Sequence, residues 1–113
     1  MKIADIMTRQ VHTITPDKTL KECAQVLKQR NVNGLVVLEG AKVVGVITKT
    51  DLFKAILPSY SDIMEDEHHI ASFEYIEERA HKLYDKKVRD LMGAPPITID
   101  GSMPVIKAGS LMI

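Results

Sequence analysis

Between Thr19 and Arg30 the apolar residues Leu20, Cys23, Ala24 and Leu27 return at three- and four-residue steps, with Lys21, Glu22 and Lys28 outside the stripe. That period predicts an amphipathic helix with one buried face. Asp17 or Thr19 is placed to cap its first turn, just after the turn chemistry of Thr15-Pro16-Asp17. Asn31-Val32-Asn33-Gly34 ends it, with Asn and Gly available for left-handed geometry. Ahead of the helix, Val11 to Ile14 is a short β-branched run and predicts a strand. Beyond it, Leu35 to Leu38 and Val43 to Ile47 are nearly continuous apolar runs joined by Glu39-Gly40-Ala41. They read as a hairpin buried on both faces. Asp51 to Leu57 begins a second helix, which Pro58 halts. The order is strand, helix, strand, strand, helix, an α/β (α+β) unit.

The pattern then changes. Asp62 through Asp85 contains neither Gly nor Pro, and Ile70, Phe73, Ile76, Ala80 and Leu83 recur on one helical face. One or two connecting helices are expected there. At Val88 the opening of the chain returns. Ile3-Ala4-Asp5-Ile6-Met7 is matched by Val88-Arg89-Asp90-Leu91-Met92, an offset of 88 − 3 = 85. Without a gap the same offset pairs Thr13 with Thr98, Ile14 with Ile99, Leu20 with Val105 and Cys23 with Ala108. It also pairs Val26 with Leu111 and Leu27 with Met112, so apolar positions agree in register over the whole overlap. An internal repeat is the better reading. The chain divides into a complete unit over residues 1–57, a helical connector over 58–87, and the first part of a second copy over 88–113. That copy has an opening turn, a first strand and part of a helix, but no hairpin.

Composition narrows the function. Fifteen basic residues balance fifteen acidic ones, which argues against nucleic acid and against an anionic membrane as partners. Aromatic residues make up 4% and Trp is absent, so the core rests on Val, Ile, Leu and Met. Cys23 is the single cysteine and lies on the apolar side of its helix. It is expected to be a reduced core residue, and a cysteine-built zinc site is excluded. There is no signal-peptide pattern, and no apolar run approaches the ~20 residues of a membrane helix, so a soluble, cytoplasmic protein is expected.

Four motifs stand in a fixed order: Ile3-Ala4-Asp5-Ile6-Met7, Val11-His12-Thr13-Ile14, Asn33-Gly34-Leu35-Val36-Val37 and Gly45-Val46-Ile47-Thr48-Lys49-Thr50-Asp51. With the second Val-Arg-Asp-Leu-Met, the sequence resembles the CBS domain family, small regulatory modules that usually occur as tandem pairs. The resemblance covers residues 2–57 fully and 88–113 as a truncated second repeat. It implies a CBS-type β-α-β-β-α unit whose clefts bind adenosyl compounds such as AMP, ADP, ATP or S-adenosylmethionine. It also implies roles for particular residues. Asp51 would hold the ribose hydroxyls, while Thr48 and Thr50 would face phosphate. The backbone at Thr13 and Ile14 would meet the adenine edge, and Leu35 and Ile47 would cover its faces.

The chemistry of the turn agrees with that assignment. An ionised carboxylate only accepts hydrogen bonds, so Asp51 can take one from each of two ribose hydroxyls. Thr48 sits at a strand-to-helix junction, where helix amides favour an anion, and Lys49 can offset charge nearby. The plainer alternative is that Thr48 and Asp51 merely cap a helix. Glu65-Asp66-Glu67-His68-His69 is a solvated acidic face in preference to a metal site, because adjacent helical histidines diverge by about 100°. His12 and His81 have no catalytic constellation beside them in sequence, and Lys86, Lys87 and Arg89 read as a solvated junction. No Walker-type loop is present. The expectation is a regulatory, non-enzymatic binder of an adenosyl ligand that requires no cofactor. The rival is a ligand-free association module. A partial repeat exposes surface that a small unit does not leave wet, so a homodimer or larger homo-oligomer is expected.

Overall fold

The computed structural model describes residues 1–56 and 73–113 of the chain, with side chains in the later stretch from Glu77 onward. The Pro58 stop, the Glu65–His69 cluster, Ile70 and the side chains of Phe73 and Ile76 lie outside the described residues.

The first helix, α1 (Leu20–Arg30), forms where its periodicity places it and buries Leu20, Cys23 and Leu27. Thr19 is its cap: the hydroxyl accepts from the Glu22 N–H at 3.2 Å. Asn31, at φ 52°, ends the helix in the left-handed region, its N–H bonding back to Leu27 and Lys28. Asn tolerates that geometry better than most side chains. Strands β2 (Gly34–Glu39) and β3 (Lys42–Thr48) form the hairpin, and Gly40 takes the left-handed turn at φ 63°. Strand β1 (Thr13–Ile14) lies parallel to β2, giving a sheet of order β1-β2-β3. Helix α2 (Lys49–Ile56) follows β3 directly. Then come α3 (Phe73–Tyr84), one turn of α4 (Val88–Leu91) and α5 (Val105–Met112).

One face of the sheet is dry. Leu35, Val37 and Ile47 pack with Leu20, Cys23 and Leu27 of α1, with Leu83 of α3 and with Val88. Full burial of each large aliphatic side chain contributes about 1.5–3 kcal/mol. The other face corrects the expectation of two-sided burial, since Val36 is only half-buried and Val46 is 41% exposed. Side chains alternate along a strand, and the described helices cover one side. The first strand is also shorter than expected: Val11 is 54% exposed and lies outside β1. No strand forms at Thr98 and Ile99, the counterparts of β1. A parallel strand needs a neighbour like β2 to bond to, and none reaches them among the described residues.

The 85-residue offset reappears in the hydrogen bonds, and the two halves exchange them reciprocally. Ile3 N–H donates to the Met103 carbonyl at 2.9 Å, and Val88 N–H to the Lys18 carbonyl at 2.9 Å. Ala4 N–H donates to Gly101 at 2.8 Å, and Arg89 N–H to Pro16 at 3.1 Å. Val105 N–H donates to Met1 at 3.0 Å, and Leu20 N–H to Lys86 at 2.8 Å. Each pair is one bond seen twice about a local twofold. The opening turns match as well. Asp5 accepts from the Lys2 N–H at 2.9 Å, and Asp90 from the Lys87 N–H at 3.0 Å. Lys86, Lys87 and Arg89 are exposed, as expected of a solvated junction, and Arg89 also pairs with the Asp17 carboxylate across the halves, which raises its already high pKa.

Candidate functional site

The site is built where β3 turns into α2. The Thr48 N–H and hydroxyl both donate to Asp51 Oδ2, at 2.8 Å and 3.0 Å. In return the Asp51 N–H donates to Thr48 Oγ1 at 3.2 Å. This is a capping box, the local reason that a strand becomes a helix here. It uses one carboxylate oxygen, and Oδ1 accepts from nothing among the described residues. Asp51 is half-buried, so the box fixes its carboxylate while leaving one oxygen to meet a hydroxylated ligand. The first amides of α2 add a positive end beside it.

An apolar cleft of about 310 Å³ lies on the open face of the sheet, walled by Val11, His12, Val36 and Val46 and floored at Gly34 and Leu35. Gly34 is the register partner of Thr48, so the cleft floor meets the capping turn across one rung of the ladder. The strands approach closely there: a Cβ on Gly34 would lie 3.2 Å from Thr48 Cγ2. Thr8 and Gln10 complete the rim with polar groups. Apolar walls with a few polar groups at the edge are what a flat heterocycle attached to a sugar needs.

The structure redistributes the residues expected from sequence. Thr48 and Asp51 come together, and Thr50 is exposed on the first turn of α2. Leu35 and Ile47 are 1% and 0% exposed, and Leu35 lies at the floor of the cleft. Their neighbours Val36 and Val46, one step along each strand, line the walls of the cleft, since a shift of one residue moves a side chain to the other face. Thr13 and Ile14 stand across β2 from Thr48 and line a separate, larger cleft of about 670 Å³ with Thr15, Lys18 and Glu22. It is His12, whose carbonyl accepts from Val36 N–H at 3.1 Å, that reaches the cleft beside Thr48. Lys49 is half-buried and lines a hollow on the helical side with Leu20, Leu52 and Leu83. Val11, His12, Val36 and Val46 were legible only as strand residues. For Val36 and Val46, the alternation that aims them outward was masked by apolar residues on both faces.

Other chemistry is sparse. Cys23 is fully buried, and burial, followed by the nearby Asp51 carboxylate, pushes its thiol up to about 11. A thiol so held stays protonated and is a poor nucleophile. Among the described residues no group of three His, Cys, Asp or Glu gathers to hold a metal ion. No described helix is long and apolar enough to cross a membrane.

Comparison with known proteins agrees with this geometry. The family described as CBS domain matches residues 3–58. A 17.7 kDa protein of Acidianus ambivalens is 38% identical over 55 residues, which is 48% of this chain and 34% of its own length. The CBS domain-containing protein YhcV of Bacillus subtilis is 38% identical over 50 residues, 44% of this chain and 36% of its own. The match thus spans about a third of the length of these relatives. Among solved structures, the CBS-pair protein CBSX2 from Arabidopsis thaliana superposes with a TM-score of 0.72 at 26% identity, covering 98% of this chain and 72% of that one. CBSX2 in complex with AMP gives a TM-score of 0.69 at 24% identity, covering 98% and 73%.

Proposed function

This chain belongs to the CBS domain family through residues 3–58, and we propose that it is a regulatory module that binds an adenosyl ligand without turning it over. The observation that carries the reading is the Thr48–Asp51 box, one ladder rung across from Gly34 in the apolar cleft. A ribose would donate its hydroxyls to Asp51, and adenine would lie between Val11, Val36 and Val46. Phosphate would extend toward the Thr48 and Thr50 hydroxyls at the start of α2. The AMP complex of CBSX2 supports AMP as the first ligand to try, ahead of ADP, ATP and S-adenosylmethionine.

Residues 88–113 are the opening part of a second CBS repeat in this reading. The reciprocal bonds between the halves support it. Self-association is the second proposal, because Ile97, Ile106 and Met112 are 80%, 87% and 86% exposed. Apolar residues so open on one segment mark an interaction surface. A homodimer would cover them, and light scattering that gave a monomer at every concentration would overturn this. For the ligand, titration calorimetry with AMP is the test. Binding that Asp51→Ala weakens by about tenfold or more supports the reading, in keeping with loss of one charged hydrogen bond. Equal binding by both proteins, or none by either, overturns it.

A further inference from the structure

The segment from Val88 onward touches the first unit at three places of unequal strength: around Val88, at Gly93, and at Gly101 to Val105. Near its start it is held by the reciprocal bonds between the halves, around Val88, which is fully buried. Farther along, Gly93 returns to the outer edge of β3, donating its N–H to the Val46 carbonyl at 2.9 Å and accepting from the Val46 N–H at 3.2 Å. Gly93 is exposed, and this contact is an isolated bridge instead of part of a strand. Two lone bonds at an exposed edge open more readily than a buried, multiply bonded junction.

The seating of this strap depends on Gly45. A Cβ there would lie 2.7 Å from Met92 Sδ and 2.8 Å from the Gly93 carbonyl oxygen, both closer than real atoms approach. Only glycine lets Met92 and Gly93 lie flat on β3. The strand beneath them is the one that forms the cleft. Val46, whose backbone is bonded to Gly93, turns its side chain into the cleft wall, and Thr48 lies two residues on.

We infer that Met92 and Gly93 form a strap on β3, seated through Gly45, whose closure fixes the Val46 wall and is coupled to occupancy of the cleft. The inference rests on the adenosyl-ligand reading. The seated strap is the binding-competent form, so a ligand that prefers it draws the segment beyond Val88 against β3. A ligand shifts such an equilibrium only by its difference in affinity for the two states. The anchors on either side of it, at Val88 and at Gly101 to Val105, stay bonded in both states.

Amide hydrogen exchange on the full chain, with AMP as the probe, tests this. Saturating AMP is expected to slow exchange of the Gly93 amide by about tenfold or more while leaving the Val88 amide unchanged. Gly45→Ala is expected to speed Gly93 exchange without AMP and to weaken AMP binding. The wild-type comparison with and without AMP needs no variant, so it decides the matter even where Gly45→Ala unfolds. AMP that binds the wild type without altering Gly93 exchange overturns the strap alone. AMP that does not bind the wild type overturns the proposed function, and the coupling with it.

Discussion

Asp51 carries two duties that point to different measurements. Its Oδ2 closes the capping box on Thr48, and its Oδ1 is the acceptor that the proposed ligand would use. Asp51→Ala therefore has a structural cost of about 1 kcal/mol, the usual loss of a helix cap, on top of its effect on ligand binding. A denaturant titration that showed no loss of stability would contradict the capping role. Cys23 gives a prediction of a different kind. Its pKa is raised to about 11 from an ordinary 9.0, because burial disfavours the thiolate and Asp51 repels it. The unfolded thiol ionises first as pH rises, so the folded state binds more protons between those values. Stability is then fully present below about 9 and is lost as pH climbs toward 11, with a slope of at most about 1.4 kcal/mol per pH unit. Thermal unfolding across that window should show the decline in the wild type, and Cys23→Ala should flatten it. A decline of equal size in both proteins would rule out the thiol as its cause.

The strands separate what the sequence could reveal from what it could not. Helix α1 was legible because its period of three and four has one reading and its cap, Thr19, stands where a cap must. The hairpin was legible because Gly40 marks its turn. The facing of β2 and β3 was not, since Leu35-Val36-Val37 and Val46-Ile47 are apolar at every position and carry no alternation. Packing against α1 then decides the matter by burying Leu35, Val37 and Ile47 and turning Val36 and Val46 outward. The Thr48–Asp51 pair was readable from its spacing as a helix cap and through the family resemblance as a ligand turn, whereas the share of Val11 and His12 in the cleft depends on how the chain enters the sheet. A pair of substitutions tests the facing. Ile47→Ala should cost about 2–5 kcal/mol in chemical denaturation, as a cavity in the core does. Val46→Ala should cost far less stability while weakening AMP by roughly three- to tenfold, through lost apolar contact. Equal destabilisation by the two would mean that the face is misassigned.

Across the whole molecule, the two halves complete each other. The first residue of α1, Leu20, donates to Lys86, and the first residue of α5, Val105, donates to Met1, so neither helix start is satisfied by its own half. Val88 fills the core of the first unit. A fragment of residues 1–56 should thus lose the sharp, cooperative thermal transition of the full chain, because it leaves that core open and those amides unpaired. A fragment as cooperative as the full chain would show that the halves are independent. The same interlocking reaches the cleft, since β3 carries the Thr48–Asp51 turn at one end and the bridge to Gly93 at its edge. The most direct test of this account is a titration of isotope-labelled protein with AMP, followed by the amide resonances. Saturable shifts are expected to gather at Gly34, Val36, Val46 and Thr48. No saturable binding, or shifts gathered instead around Thr15, Lys18 and Glu22, would contradict it.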